Sequence, residues 1–243
     1  MPKQLLFTHF LNHHFAAYVT ALLHALHVQP EHPAAPITNS FAMELIVFAA
    51  LLAFFAIVRL SLSVENPAPV QHLAEMTHEF VAGQSESIIG HGYERFASYL
   101  TVIFLFVLIS NLLGLVPGLE SPTADVVVPL GLALVTFIFY HYHGIRSNGL
   151  SYYKQFVGPV WWLSWLLLPI ELISHFARVL SLTVRLYANM FAGDLVTLAF
   201  FSLVPIGIPL IFMGLHLGVA VVQAYVFFLL ASIYLSLAVA HDH

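Results

Sequence analysis

The stretch SLTVRLYANMFAGDLV, Ser181 to Val196, places one arginine, Arg185, inside a long apolar run. An arginine side chain stays charged in proteins. At the depth of a lipid bilayer this charge costs roughly 2.5–3.5 kcal/mol on insertion scales. Chains keep such a residue where it meets an anion, lines a watery path or carries function. Arg185 is therefore either a structural cation paired with a carboxylate or a functional group, and its neighbours decide between the two.

Five polar residues share one face of the helix that this stretch predicts. Their spacings of 4, 3, 7 and 4 residues place them within an arc of roughly 80° at about 100° per residue. A narrow polar stripe on an apolar helix should face a watery path or a partner and not lipid. The stripe consists of Glu171, His175, Arg178, Arg185 and Asn189, and Gly193 and Asp194 follow it.

Composition assigns the chain to the integral membrane proteins. Of its 243 residues, 60% are hydrophobic and only 8% are charged, whereas charged residues make up about 25% of a soluble domain. We predict an all-α fold with about five transmembrane helices, since a spanning helix needs about 17–25 residues. The predicted spans are residues 41–60, 96–115, 126–142, about 158–203 and about 208–240.

Several function classes are disfavoured. A net charge of −5 is too small to suggest nucleic acid, and the absence of cysteine excludes a disulfide framework and a thiolate metal site. His9 and His13 share a helical face, but the sequence fixes no third ligand and contains no H-E-x-x-H motif. There is no phosphate-binding loop of the G-x-x-x-x-G-K-[ST] kind. We therefore predict no metal, no cofactor and no bound nucleotide.

Residues 1–40 predict an N-terminal extramembrane segment, followed by a single transmembrane domain over residues 41–243. The apolar part of the segment, about 14 residues, is too short to span. A signal peptide is one alternative, but no small-x-small cleavage site follows, so we favour a retained amphipathic segment. Pro30 to Pro36 predicts a linker, and residues 64–95 predict a polar inner loop with a surface helix.

Basic residues predict the orientation in the membrane. Lysine and arginine concentrate in short cytoplasmic connections, and the 116–125 turn contains Glu120 and Asp125 but no basic residue. The N-terminus should therefore lie outside and the C-terminus inside. The basic residues of the other two connections are Arg59, Arg95, Arg146 and Lys154.

The last two predicted helices are too long for a perpendicular crossing. At 1.5 Å per residue they would reach about 68 Å and about 50 Å, so they must tilt, kink or break. Pro169 predicts a kink in the first helix, and PIGIP at residues 205–209 predicts a turn between the two. We therefore predict a long, strongly tilted antiparallel hairpin over residues of about 158–240.

The hairpin brings polar residues of both helices together. With the turn centred near position 205.5, the numbers of facing residues sum to about 411, which places Asp194 beside His216 and Asn189 beside Gln223. A histidine near a carboxylate can relay protons. Glu171 lies about 21 Å along the helix from Arg185 on one side, and Asp194 about 14 Å on the other. A fixed positive charge between two polar zones is the arrangement that two offset proton half-channels require.

Four segments resemble a known family. LTVRLYANMFAGDLV and HLGVAVVQAYVFFLLASIYLS resemble the a subunit of the membrane sector (Fo) of rotary F-type ATP synthases, and NLLGLVPG (Asn111 to Gly118) and PTAD (Pro122 to Asp125) are similar to the same family. The resemblance runs from about residue 40 to the end of the chain. It implies a stator proton-channel subunit that is not itself an enzyme, in a bacterial plasma membrane.

The resemblance also implies partners and roles. The partners would be a ring of c subunits with one membrane carboxylate each, the peripheral-stalk b subunits, lipid and protons. Arg185 would separate the half-channels and attract the ring carboxylates. The proton pathway would contain Glu171, Asn189, Asp194, His216 and Gln223, supported by His175, Arg178, Asn111 and Asp125.

A self-contained proton-coupled transporter is the alternative. Transporters usually show internal repeats with broken helices in both halves, and the first half of this chain has nothing like Glu171 to Asp194. A membrane enzyme with a histidine-bound metal is a third hypothesis, which the missing ligand spacing disfavours.

Overall fold

The computed structural model describes residues 5–25, 27, 35–63, 67–116, 118–149, 152, 164–203 and 207–240. Within this part of the chain the fold is all-helical, as predicted. Its seven α-helices and one short 3-10 turn are α1 (Leu6–Ala25), α2 (Asn39–Leu60), α3 (Pro69–Ile89), α4 (Glu94–Leu113), the turn Pro122–Ala124, α5 (Val127–Asn148), α6 (Ser164–Leu203) and α7 (Ile208–Val239).

Five of these helices are long and apolar enough to cross a membrane: α2, α4, α5, α6 and α7. This confirms the predicted all-α membrane fold with about five spans. The predicted N-terminal segment contains α1, and the predicted polar connection of residues 64–95 contains α3. The N-terminal residues 1–4, most of the Pro30–Pro36 linker and the C-terminal 241–243 lie outside the described residues.

The third span is longer than predicted. From the sequence, this span is predicted to end at Tyr142 and to be followed by a loop, but α5 continues to Asn148. Nothing between these residues breaks a helix, because Gly144 alone only lowers helix stability. The helix ends where Gly149 adopts a φ of 57°, which glycine tolerates best. The rest of the predicted loop, apart from Tyr152, lies outside the described residues.

The core forms around α7, which packs against α4, α5 and α6, and α5 also packs against α6. Ala220, Ala224 and Ala231 of α7 are at most 2% exposed, and small residues at such an interface let helix backbones approach closely. Phe227 and Phe228 fill the space beside them. The packing holds α7 in place along most of its length and therefore fixes the polar side chains that it carries.

Helix α3 packs more closely than a surface helix would. Tyr225 Oη of α7 donates to Gln84 Oε1 at 3.1 Å, and Ser236 Oγ donates to the Ile88 carbonyl at 2.9 Å. At the opposite end of the fold, Asn12 of α1 makes two hydrogen bonds of 3.0 Å with the backbone of Ile37. These bonds attach both non-spanning helices to the spanning bundle.

Helices α6 and α7 are antiparallel neighbours. Asn189 contacts Gln223 and Asp194 contacts His216. Residue numbers therefore rise along α6 in the direction in which they fall along α7. With 40 and 32 residues, they are about 60 Å and about 48 Å long. Pro169 lies inside α6. The kink there and the strong tilt remain predictions. Residues 205 and 206 of the predicted turn and the first residues of the predicted helix (158–163) lie outside the described residues.

Candidate functional site

Arg185 lies half-buried on α6 and has no acidic partner among the described residues. Its Nη2 donates to Ser181 Oγ, one turn earlier, at 3.2 Å. Each ion pair in the described part of the chain joins other groups. The explanation of Arg185 as one half of a buried structural ion pair is therefore not supported by the described structure. The adjacent Leu186 is fully buried and fixes the backbone that carries the arginine.

A polar cluster lies on α6 about two to four turns before Arg185. Glu171 Oε1 is 3.5 Å from His175 Nε2 and 3.9 Å from Arg178 Nη2. Tyr140 Oη of α5 is 3.2 Å from His175 Nδ1. The Arg178 guanidinium lies over the Tyr234 ring, 5.4 Å from its centroid, in the range of a cation–π interaction. Arg178 therefore pairs with Glu171.

This first cluster surrounds a cavity of about 210 Å³. Its wall combines the carboxylate of Glu171 with one imidazole, one guanidinium and three phenols, all of which can exchange hydrogen bonds with water. A space of this volume can hold several water molecules. The lining residues are Tyr140, Tyr152, Glu171, His175, Arg178, Tyr234, Leu237 and Ala238.

A second polar cluster lies on the other side of Arg185, between α6 and α7. Asn189 Nδ2 donates to Gln223 Oε1 at 2.8 Å. Asp194 Oδ1 is 3.7 Å from His216 Nδ1, close enough for electrostatic attraction but longer than a hydrogen bond. Both contacts were predicted from the hairpin, because the residue numbers of each pair sum to nearly 411, the value expected for facing positions.

Gly193 is needed for the approach of His216. A Cβ atom at residue 193 would lie 2.8 Å from the His216 ring, which is closer than any side chain could accept without a shift. The imidazole is 4% exposed, and its Nε2 has no hydrogen-bond partner among the described residues. The imidazole is therefore held next to Asp194 on one side while Nε2 stays available to another donor or acceptor.

The second cluster borders a cavity of about 310 Å³. The cavity begins at Asn189, about 6 Å along α6 from Arg185, and the first cavity reaches Arg178, about 10 Å away in the other direction. Arg185 thus lies between two separate spaces and lines neither of them. The second lining consists of Asn189, Ala192, Gly193, Val196, Thr197, Phe212, Leu215, His216 and Val219.

Two predicted supporting residues belong to neither cluster. Asn111 is fully buried on α4, where it donates to the Ala220 carbonyl at 3.1 Å and accepts from Thr123 Oγ1 at 2.6 Å. It therefore joins α4, α7 and the 3-10 turn. Asp125 Oδ1 accepts from the Val127 amide at 3.2 Å, at the start of α5. The contacts of both residues are structural.

The sequence analysis missed Tyr140, His141 and Tyr234. His141 lies 4.9 Å from the His175 ring, between centroids. The contact of Tyr234 with Arg178 could have been predicted, because their residue numbers also sum to about 411, the value expected for facing positions of the hairpin. Tyr140 and His141 had no comparable signal, since the register of α5 against α6 is not set by a short turn.

The two clusters can hold and pass protons, and the described residues include no group of three metal-ligating side chains that could hold an ion. The fold is that of a multi-pass helical membrane protein, and an arginine with no acidic partner among the described residues, between two polar cavities, is typical of ion pathways. The model of the ATP synthase A chain family matches residues 41–236.

Curated relatives agree with this match. The chain is 57% identical to ATP synthase subunit a of Koribacter versatilis over all of both chains, and 43% identical to that of Solibacter usitatus over 96% and 99% of the two chains. It is 35% identical to that of Trichlorobacter lovleyi over all of both chains. The chain belongs to the ATP synthase A chain family and is a multi-pass membrane protein of the Fo sector.

Proposed function

We propose that this chain is the stator proton-channel subunit of an F-type ATP synthase. The observation that carries the proposal is Arg185, which has no acidic partner among the described residues and lies between two separate polar cavities. Each cavity serves as a half-channel open to one side of the membrane. Protons do not pass the fixed guanidinium easily, so they must travel around it on a carrier.

The carrier is the ring of c subunits, with one membrane carboxylate in each. A protonated carboxyl can face lipid, whereas an ionised one cannot do so cheaply and is attracted to Arg185. The surface of α6 around Arg185 suits such a partner, because Leu180, Val184 and Phe191 are 60%, 54% and 42% exposed. A membrane potential supplies ~2.3 kcal/mol per charge per 100 mV, which drives rotation and ATP synthesis.

The two clusters have different roles in this proposal. Asp194, His216, Asn189 and Gln223 deliver protons from the outer side to the ring. Glu171, supported by His175 and Arg178, releases them to the inner side. The chain performs no ATP chemistry itself, and the peripheral-stalk b subunits hold it in place against the rotor. The proposed setting is a bacterial plasma membrane, with the N-terminus outside and the C-terminus in the cytoplasm.

The test replaces Arg185 in membranes that contain the assembled complex. Arg185→Ala should abolish ATP-driven proton pumping and proton-driven ATP synthesis, while passive proton leak persists or rises. Arg185→Lys should also fail, because lysine lacks the planar guanidinium and can lose its proton. Fluorescence quenching in vesicles measures pumping, after assembly has been checked by immunoblot.

Arg178→Ala is the matched control, since Arg178 lies on the same stripe seven residues earlier and is already paired with Glu171. We expect a milder loss from it. Pumping at the unmodified rate in Arg185→Ala vesicles would refute the proposed barrier.

A further inference from the structure

A larger cavity lies away from both clusters, at one end of the helix bundle. It has a volume of about 860 Å³, within the range of small-molecule sites, which is about 300–1,000 Å³. It is bordered by the beginning of α4 and the ends of α3, α5 and α7. The proposed proton path uses no residue of this cavity.

The described wall of this cavity is basic. Arg95 of α4 and Arg146 of α5 contribute guanidinium groups, and His91 and His143 contribute imidazoles, while no described lining residue is acidic. Neither arginine belongs to an ion pair among the described residues. Arg146 has a weak contact to Tyr142 Oη at 3.4 Å, which leaves most of its donors for a ligand.

The four basic groups reach the cavity from three elements, because His143 and Arg146 both belong to α5. His91 belongs to the connection between α3 and α4, which bends through Gly90 and Gly92 at φ values of 77° and 88°. His143 is held on α5 by ring contacts to Phe96 and Phe139, with centroid distances of 5.0 and 4.5 Å. Positive charge is therefore directed into one concave site, instead of being spread along a flat surface.

We propose that this cavity binds a phosphate-bearing anion. Guanidinium groups match the geometry of phosphate oxygens with two parallel hydrogen bonds, and an imidazole offers at least one N–H donor in either protonation state. The position favours the headgroup of an anionic phospholipid, because basic pockets between transmembrane helices bind such headgroups. Inorganic phosphate shares the same chemistry and is the other source.

The test uses the full chain purified in a neutral detergent. Native mass spectrometry counts bound phosphatidylglycerol and, separately, phosphatidylcholine, which carries no net charge. We expect phosphatidylglycerol to be retained preferentially. Arg95→Gln and Arg146→Gln should each weaken its binding about tenfold, since each removes a charged hydrogen-bond donor. Rising salt should weaken binding to the unmodified chain as well.

Arg59→Gln is the matched control. Arg59 lies in the last turn of α2 and does not border the cavity, so its loss should leave lipid binding unchanged. If a glutamine variant fails to accumulate in the membrane, Arg95→Lys and Arg146→Lys keep the charge and should bind at intermediate strength. Equal binding of the two lipids, or equal weakening by Arg59→Gln, would overturn the proposal.

A competition arm separates the two sources. Phosphatidylglycerol that stays bound in millimolar inorganic phosphate identifies the lipid headgroup as the ligand. Displacement of the lipid by phosphate in the unmodified chain, with weaker displacement in the arginine variants, identifies free phosphate as the ligand of the same site. None of these readouts depends on proton transport, so they are independent of the function proposed for Arg185.

Discussion

Asp194 and His216 are the residues on which proton entry should depend most. Asp194 Oδ1 and His216 Nδ1 lie 3.7 Å apart. The His216 side chain is buried, whereas the Asp194 side chain is 28% exposed. A carboxylate and an imidazole at this distance share protons as a coupled pair. If both belong to one relay, removing either should stop the same step.

We expect Asp194→Ala and His216→Ala each to slow proton-driven ATP synthesis by about 100-fold, the lower end of what a positioned proton-transfer group contributes. The double variant should be no slower than either single one, because both break one relay. Exchanging the two, as Asp194→His with His216→Asp, should recover part of the rate. The measurement is ATP synthesis in vesicles per assembled complex.

Ser202→Ala is the control for this comparison of single and double variants. Ser202 is exposed on α6, the helix of Asp194, and donates only to the Ala199 carbonyl. Additive losses in the double variant would show that the two residues act separately. An unimpaired rate in either single variant would leave the relay without support.

At the scale of the elements, the α6–α7 hairpin depends on close approach at Gly193. Its missing side chain makes room for the His216 ring, which an added Cβ would approach to 2.8 Å. Forcing a methyl group into a packed site costs about 1–3 kcal/mol. The most direct way to relieve the contact is to move the imidazole, which would change its distance from Asp194.

Gly193→Ala should therefore reduce proton-driven ATP synthesis although it removes no polar group. Gly131→Ala on α5 is the control, because a Cβ there would meet nothing within 4 Å and alanine favours a helix by about 1 kcal/mol over glycine. Synthesis rates and complex yields are compared in the same membranes. A Gly193→Ala complex that works at the rate of Gly131→Ala would contradict the proposed constraint.

The elements also show what a sequence can predict. A short turn fixes the register of two neighbouring helices, so the contacts of Asn189 with Gln223 and of Asp194 with His216 follow from counting residues. No short turn fixes the register of α5 against α6. The hydrogen bond between Tyr140 and His175 therefore depends on tertiary packing and could not be predicted by counting residues. The end of α5 was missed for a local reason, since no residue before Gly149 stops the helix.

At the scale of the whole molecule, basic residues gather at one membrane surface. Arg95 and Arg146 line one cavity, and they lie at the ends of α4 and α5 that the positive-inside rule predicts to be cytoplasmic. From five candidate spans, an odd number, we predict that the two chain ends lie on opposite sides of the membrane. Length and composition predict the number of spans, whereas the cavities between them come from packing that no sequence pattern encodes.

Reporter fusions after Lys154 and at His243 should both be cytoplasmic, because an even number of crossings separates these positions. A fusion within the Gly118–Asp125 connection should be external and serves as the opposite control. Paired alkaline phosphatase and fluorescent reporters at each position measure the side. An external reading at Lys154 or His243 would contradict the orientation.

The central claim is that the two polar cavities open to opposite sides of the membrane and that Arg185 separates them. The chain contains no cysteine, so single cysteines can report water access to each cavity through a membrane-impermeant thiol reagent. The two probes are Leu237→Cys in the first cavity and Leu215→Cys in the second. Leu100→Cys, fully buried in the core, is the unreactive control.

The measurement that tests this claim most directly is labelling of these three variants in sealed vesicles of known orientation. Leu237→Cys should react only with reagent on the cytoplasmic side, Leu215→Cys only with reagent on the opposite side, and Leu100→Cys with neither. Reaction of both cavity probes from the same side would contradict the account.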